Sequence, residues 1–175
     1  MKKLILILSI LYLHTGASFS QTETKKSVRD GLYLIIKTGT DNTTFDSIAK
    51  GQIVINFNKM VIENNGQEFT KVLIDTSEYV PLELEKPPTS ERQTDLKMKL
   101  MLSLTPEGSE KLKYFSAKHV MEKVVIVIDG EALTMHKIRE SITSGQLQIT
   151  RCTDNACEKL LIMLKDNVKK QADMK

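Results

Sequence analysis

Tryptophan is absent from this 175-residue chain, and aromatic residues make up only 5% of it. An aromatic platform for stacking bases is therefore not expected. Charge of one sign is scarce as well. The formal net charge is +3, from 25 Lys and Arg against 22 Asp and Glu. Two of those lysines, and no acid, lie in the first 20 residues. Without them 23 basic residues face 22 acidic ones, and the formal charge is +1. Nucleic-acid binders advertise a basic surface, so this balance argues against that class. There are only two cysteines, too few for a disulfide framework. The glycines are isolated, and Asp41 to Thr44 lacks the Gly-Lys-Ser/Thr of a phosphate loop. Long apolar runs are limited to one near the amino terminus.

That run, Leu4 to Leu13, follows Met1-Lys2-Lys3 and is interrupted only by Ser9. Ser18 and Ser20 stand three and one residues before a candidate cleavage point ahead of Gln21. The layout is that of a secretory signal peptide over residues 1–20. An uncleaved anchor is the alternative, although ten apolar residues are short against the ~20 that span a bilayer. A polar, flexible lead-in is expected over 21–30. The mature chain is then an exported protein of the periplasm or extracellular space.

Export bears on Cys152 and Cys157, which flank Thr153-Asp154-Asn155-Ala156. An oxidising compartment permits a disulfide between them. Buried free thiols are the second reading, and redox or metal chemistry the third. Four intervening residues do not match the two of a thioredoxin-like motif. The pair also lacks the clustered histidines of a zinc site.

Hydrophobic periodicity predicts an α+β fold. A mixed or antiparallel sheet with two main helices packed on it follows a β-rich amino-terminal portion. In that portion, over 31–86, strands are expected at 31–37, 50–57, around Val61-Ile62 and at 69–74. Ile53, Ile55 and Phe57 share one face. Asn65-Gly66 marks a turn. Glu85 to Asp95, with Pro87-Pro88, reads as a loop and as the boundary between two parts. In the second part, over 96–168, Leu96, Met98, Leu100, Leu102 and Leu104 alternate as in a half-buried strand. Thr105-Pro106-Glu107 then combines an N-cap hydroxyl, a first-turn proline and an acid at the positive helix end.

This helix is expected to reach about Met121, with Leu112, Phe115, His119 and Val120 as its apolar stripe. Val124 to Ile128 is a β-branched run buried on both faces. Asp129-Gly130 signals a hairpin whose second strand covers 132–135. Ile138 to Ile142 reads as a connector with one helical turn, followed by a turn at 143–145 and a strand at 146–150. Thr153 caps a last helix whose apolar face is Cys157, Leu160, Leu161, Leu164 and Val168. A frayed polar tail is expected over 169–175.

The ordered set of motifs from Leu104 to Lys165 resembles the head subdomain of the periplasmic domain of SecD, a membrane component of bacterial protein export. The set comprises Leu104-Thr105-Pro106-Glu107-Gly108, the strand Val124 to Ile128, Asp129-Gly130, Ile138, Ile142 and Gly145, Gln148-Ile149, and the capping Thr153. The resemblance covers roughly the last 70 residues. It implies an α+β unit that contacts exported polypeptide. It does not carry over the energy coupling of SecD, whose transmembrane helices have no counterpart in this sequence. The pattern also departs from the family at His136, where a proline is usual, and at Thr150-Arg151-Cys152 before the final helix.

No catalytic constellation stands out. His14 falls within the signal segment. His119 reads as a core or boundary histidine, and His136 as an exposed one. Asp75 with Glu78, or Glu83 with Glu85, are the nearest approaches to an acid/base pair, and a solvated face explains them. The expectation is a non-enzymatic binding module without cofactor or metal. Its partner is unfolded or exported polypeptide, or an envelope protein, engaged through strand edges. Leu96, Met98 and Leu100 on one strand, and Asp129 and Gly130 at the hairpin, are the candidate edge residues. A structural adaptor for one fixed envelope partner is the alternative, and a small thiol-based redox protein or hydrolase a third reading.

Overall fold

The computed structural model describes residues 28–58, 68–92, 98–152 and 154–173. Within that span the side chains of 150–152, 154–157, 159, 167 and 170–173 lie outside the description. The expected signal segment, the strand around Val61-Ile62 and the Asn65-Gly66 turn also fall outside it.

Among the described residues eight strands and two helices follow in the order β1 (Gly31–Gly39), β2 (Gln52–Asn56), β3 (Lys71–Pro81), β4 (Thr89–Arg92), β5 (Met98–Ser103), α1 (Pro106–Lys118), β6 (Lys123–Ile128), β7 (Glu131–Lys137), β8 (Gln146–Cys152) and α2 (Asp154–Asp173). They form an α+β fold with two antiparallel sheets. The larger sheet has the order β2-β3-β1-β6-β7, and the smaller β4-β5-β8. Three strands of the larger sheet thus precede the Pro87-Pro88 segment and two follow it.

The larger sheet curls until its ends meet. Just past β2, Phe57 makes a parallel bridge with Ala132 of β7. The Asn58 amide donates to the Ala132 carbonyl at 2.8 Å, and the Asn58 side-chain amide donates to the Glu131 carboxylate. Inside the curl lies one apolar cluster that includes Tyr33, Ile55, Phe57, Ile74, Val125 and Val127. The outer face belongs to a second cluster. There Leu32, Ile126 and Leu133 pack with Leu100 and Leu102 of β5, Leu112 and Phe115 of α1, and Leu160 and Leu164 of α2. Strand β6 serves both clusters because successive side chains point to opposite faces. This explains its unbroken Val-Val-Ile-Val-Ile sequence.

Several elements differ from the expectation. Strand β3 runs on to Pro81, beyond the expected end at Ile74. Its pairing with β1 jumps from Tyr33–Tyr79 to Leu34–Asp75, so Thr76, Ser77 and Glu78 bulge out of the ladder. The bulge satisfies its own polar groups. The Asp75 carboxylate accepts from the Ser77 amide at 2.8 Å and its hydroxyl at 2.6 Å. The Thr76 amide and hydroxyl both donate to the Gly51 carbonyl at 2.7 Å. Polar residues that bond locally hide a strand from a hydrophobic-period reading.

Strand β4 occupies part of the expected Glu85–Asp95 loop. It begins after both prolines, and its four residues are all exposed. Such an edge strand needs no apolar alternation. Helix α1 stops at Lys118, short of Met121, because His119 leaves helical geometry and Met121 takes a positive φ of 71°. Val120, expected on the apolar stripe, is consequently exposed. The 138–142 connector contains no helical turn. Instead Ile138 exchanges hydrogen bonds with Met121 (2.7 Å) and Glu122 (3.0 Å), and the Ile142 amide donates to the Ser116 hydroxyl at 2.8 Å. Helix α2 continues through Asp173, into the segment expected to fray. Among the described residues no helix is long and apolar enough to cross a membrane.

Candidate binding edges and polar clusters

The small sheet is built around β5. Leu100 and Leu102 are fully buried, and Met98 is half-buried against the same core. Their strand lies between β4 and β8, hydrogen-bonded on both sides. The expectation that Met98 and Leu100 mark an edge is thereby corrected. The late start of β4 inside the presumed loop covers that flank. Leu96 lies outside the described residues.

The edges of the small sheet are β4 and β8. On β4, Glu91 reaches across to Lys99 of β5 at 3.0 Å, and Thr89 stands opposite Met101. On β8, Leu147 and Ile149 point into the core, while Gln146 and Gln148 face out. A half-buried sheet shows this alternation. The chain enters it through a restrictive turn. Gly145 has φ of 66°, and a Cβ there would meet the Ser109 hydroxyl at 2.4 Å.

Asp129 and Gly130 belong to the larger sheet. Both have positive φ, 51° and 77°, as a two-residue hairpin turn requires. The Asp129 amide donates to the Asp30 carboxylate at 2.8 Å. The structure therefore places the two groups of candidate edge residues on different sheets.

Helix α1 follows its sequence signals closely at the start. The Thr105 hydroxyl accepts from the Gly108 amide, and Pro106 occupies the first turn. At its other end lies a polar cluster assembled from distant parts of the chain. His119 is buried, its ring 4.7 Å from that of Phe115. Nδ1 lies 2.9 Å from a Glu122 carboxylate oxygen, and Nε2 lies 3.6 Å from one of Glu78. Lys118 pairs with the same Glu78 oxygen. That ammonium holds the Glu78 carboxyl below the usual carboxylate range, and the carboxylate in turn raises Lys118. Glu78 reaches the helix only because the β3 bulge projects it, so no local spacing rule finds it.

His136 is half-buried rather than exposed. Its Nε2 lies 3.0 Å from the Thr134 hydroxyl, and burial depresses its pKa. It sits on β7, opposite Val124 of β6. Glu83 and Glu85 are exposed, and Asp75 braces the bulge. Among the described residues no group of three His, Cys, Asp or Glu converges as a metal site would. The Cys152 and Cys157 side chains lie outside the description; their backbones place one at the last residue of β8 and the other in the first turn of α2.

Residues 83–168 match the family model of the SecDF P1 head subdomain. The matched segment starts beside the Leu84–Leu104 bridge and ends at Val168 on α2, so it contains the small sheet, α1, most of α2 and the β6–β7 hairpin. This segment resembles a SecD-type head. A curated relative, the protein translocase subunit SecD of Dictyoglomus turgidum, is 37% identical to the chain over 65 residues. That alignment covers 37% of this chain and 16% of the relative. The chain therefore spans a small part of the SecD it matches.

Solved structures show the same likeness at lower identity. A crystal structure of SecDF in a super-membrane-facing form is 21% identical, with a TM-score of 0.47, over 77% of this chain and 18% of that one. A second SecDF structure, described as a membrane component that enhances protein export, is 16% identical, with a TM-score of 0.46, over 79% of this chain and 64% of that one.

Proposed function

We propose that the protein is an exported, non-enzymatic module that binds extended polypeptide through its SecD-type head. The observation that carries this reading is the exposed strand β4 at the edge of a sheet lying wholly within the matched segment. An exposed edge offers unpaired backbone donors and acceptors, which an extended chain satisfies regardless of its sequence. The client would be unfolded or exported polypeptide, met in the periplasm or outside the cell once residues 1–20 are removed. Cys152 and Cys157 would form a local clip between the end of β8 and the start of α2. A fixed envelope partner, with the protein as structural adaptor, is the competing reading.

The test is binding of fluorescent unfolded chains to the processed protein. Saturable binding that tolerates client sequence supports the proposal, and none at high micromolar concentration overturns it. Two variants locate the edge. In an antiparallel ladder adjacent residues alternate in hydrogen-bond direction, so one of Ser90 and Glu91 has its amide turned outward. Proline at that position removes an outward donor and should weaken binding while the fold survives. Binding that survives both Ser90→Pro and Glu91→Pro in folded protein excludes β4 as the edge.

A further inference from the structure

The polar cluster at the end of α1 is unusual in its connectivity. A single buried imidazole stands between carboxylates from two separate elements. Glu122 belongs to the turn that leads into β6, and Glu78 to the bulge of β3. A neutral imidazole carries one N–H and one lone pair. At 2.9 Å, Nδ1 is within hydrogen-bond range of Glu122, and its proton is committed there. Nε2 then presents its lone pair to the Glu78 carboxylate at 3.6 Å, beyond hydrogen-bond distance. A second proton has one place to go, Nε2, where it converts a lone-pair contact into an ion pair.

We propose that His119 is a proton-dependent clamp that ties the end of α1 and the following turn to the β3 bulge. The ring faces the carboxylates of Glu78 and Glu122 and lies at the carbonyl end of α1. The ring is buried, and Lys118, the neighbouring cation, shares Glu78. Asp75, also on β3, adds negative field at Lys118. The turn so clamped is exposed and apolar, with Val120 at 41% and Met121 at 60% accessibility. It is held otherwise by backbone bonds, from the Met121 amide to the Ile138 carbonyl, from the Ile138 amide to the Glu122 carbonyl and from the Glu122 amide to the His119 carbonyl. Acidification tightens this corner, and alkalinity releases it onto those bonds alone. The inference is independent of the polypeptide-binding proposal.

Amide hydrogen exchange of Met121 and Glu122 reads the clamp, corrected for the intrinsic effect of pH. In the processed chain their protection should be roughly three- to tenfold greater at about pH 5.5 than at about pH 8. The Lys118 contact keeps Glu78 ionised at the lower pH. His119→Gln should abolish the difference, and Glu78→Gln or Glu122→Gln should reduce it. Equal protection at the two pH values overturns the proposal, as does a difference that survives His119→Gln. Glu122 is exposed, so Glu122→Gln keeps the test decisive if His119→Gln does not fold; an undiminished difference there also overturns it.

Discussion

Phe57 and Ala132 face each other across a parallel bridge, and that contact brings the two ends of an otherwise antiparallel sheet together. Phe57 is 2% accessible, and its ring fills the mouth of the inner core. The neighbouring Asn58 adds the backbone bond to Ala132 and the side-chain bond to Glu131.

Phe57→Ala should therefore cost about 3–5 kcal/mol, the usual loss for a buried phenylalanine. Asn58→Ala should cost about 1 kcal/mol, since it removes the side-chain hydrogen bond to Glu131 and keeps the backbone bond to Ala132. Urea unfolding of the processed protein measures both. Comparable values for the two variants would show that packing of Phe57 does not dominate the closure.

Gly130 and Gly145 separate the two costs of replacing a glycine. Both have positive φ, 77° and 66°. A Cβ at Gly130 would find nothing within 4 Å, whereas one at Gly145 would collide with Ser109. Gly130→Ala should lose about 1–2 kcal/mol from backbone strain alone. Gly145→Ala should lose more, and Ser109→Gly in the same chain should recover the excess. A double-mutant cycle on unfolding free energies checks this, and simple additivity would show that the Ser109 contact carries no cost.

The Glu78–Lys118 pair gives stability a dependence on pH. The folded-state pKa of Glu78 is depressed, so its contribution is present above the ordinary carboxylate value and is lost as pH falls through the folded value. That of Lys118 is raised, so its contribution is present below the ordinary lysine value and is lost as pH rises through the folded one. The plateau lies between these limits. Both side chains are substantially exposed, so the amplitude is small and falls with salt. Glu78→Gln should flatten the acid limb of the stability–pH curve. An unchanged limb would place the acid sensitivity elsewhere.

Cys152 and Cys157 should be unreactive to thiol reagents in denatured, unreduced protein recovered from an oxidising compartment, and should titrate as two thiols after reduction. Their loop is short, so reduction should cost less than the roughly 3 kcal/mol expected for a 15-residue loop. Two free thiols before reduction would remove the clip from the proposal.

The sequence by itself determined the elements whose cause is local or periodic. The Thr105-Pro106 helix start, the doubly buried β6 and the Asp129-Gly130 turn each follow from a few adjacent residues, because capping, alternation and positive φ act over that range. The ordered motifs between Leu104 and Lys165 also carried the likeness to a SecD-type head, since their sequence of strand, helix and turn is specific even where each piece is common. Tertiary structure decided what depends on partners distant along the chain. Whether β5 is an edge depends on β4, a polar strand with no apolar signature. Whether Glu78 is a solvated acid or a partner of His119 depends on a bulge that projects it toward a helix 40 residues away. A strand's face is written in its own alternation; its neighbours are chosen by the whole chain when the two cores close.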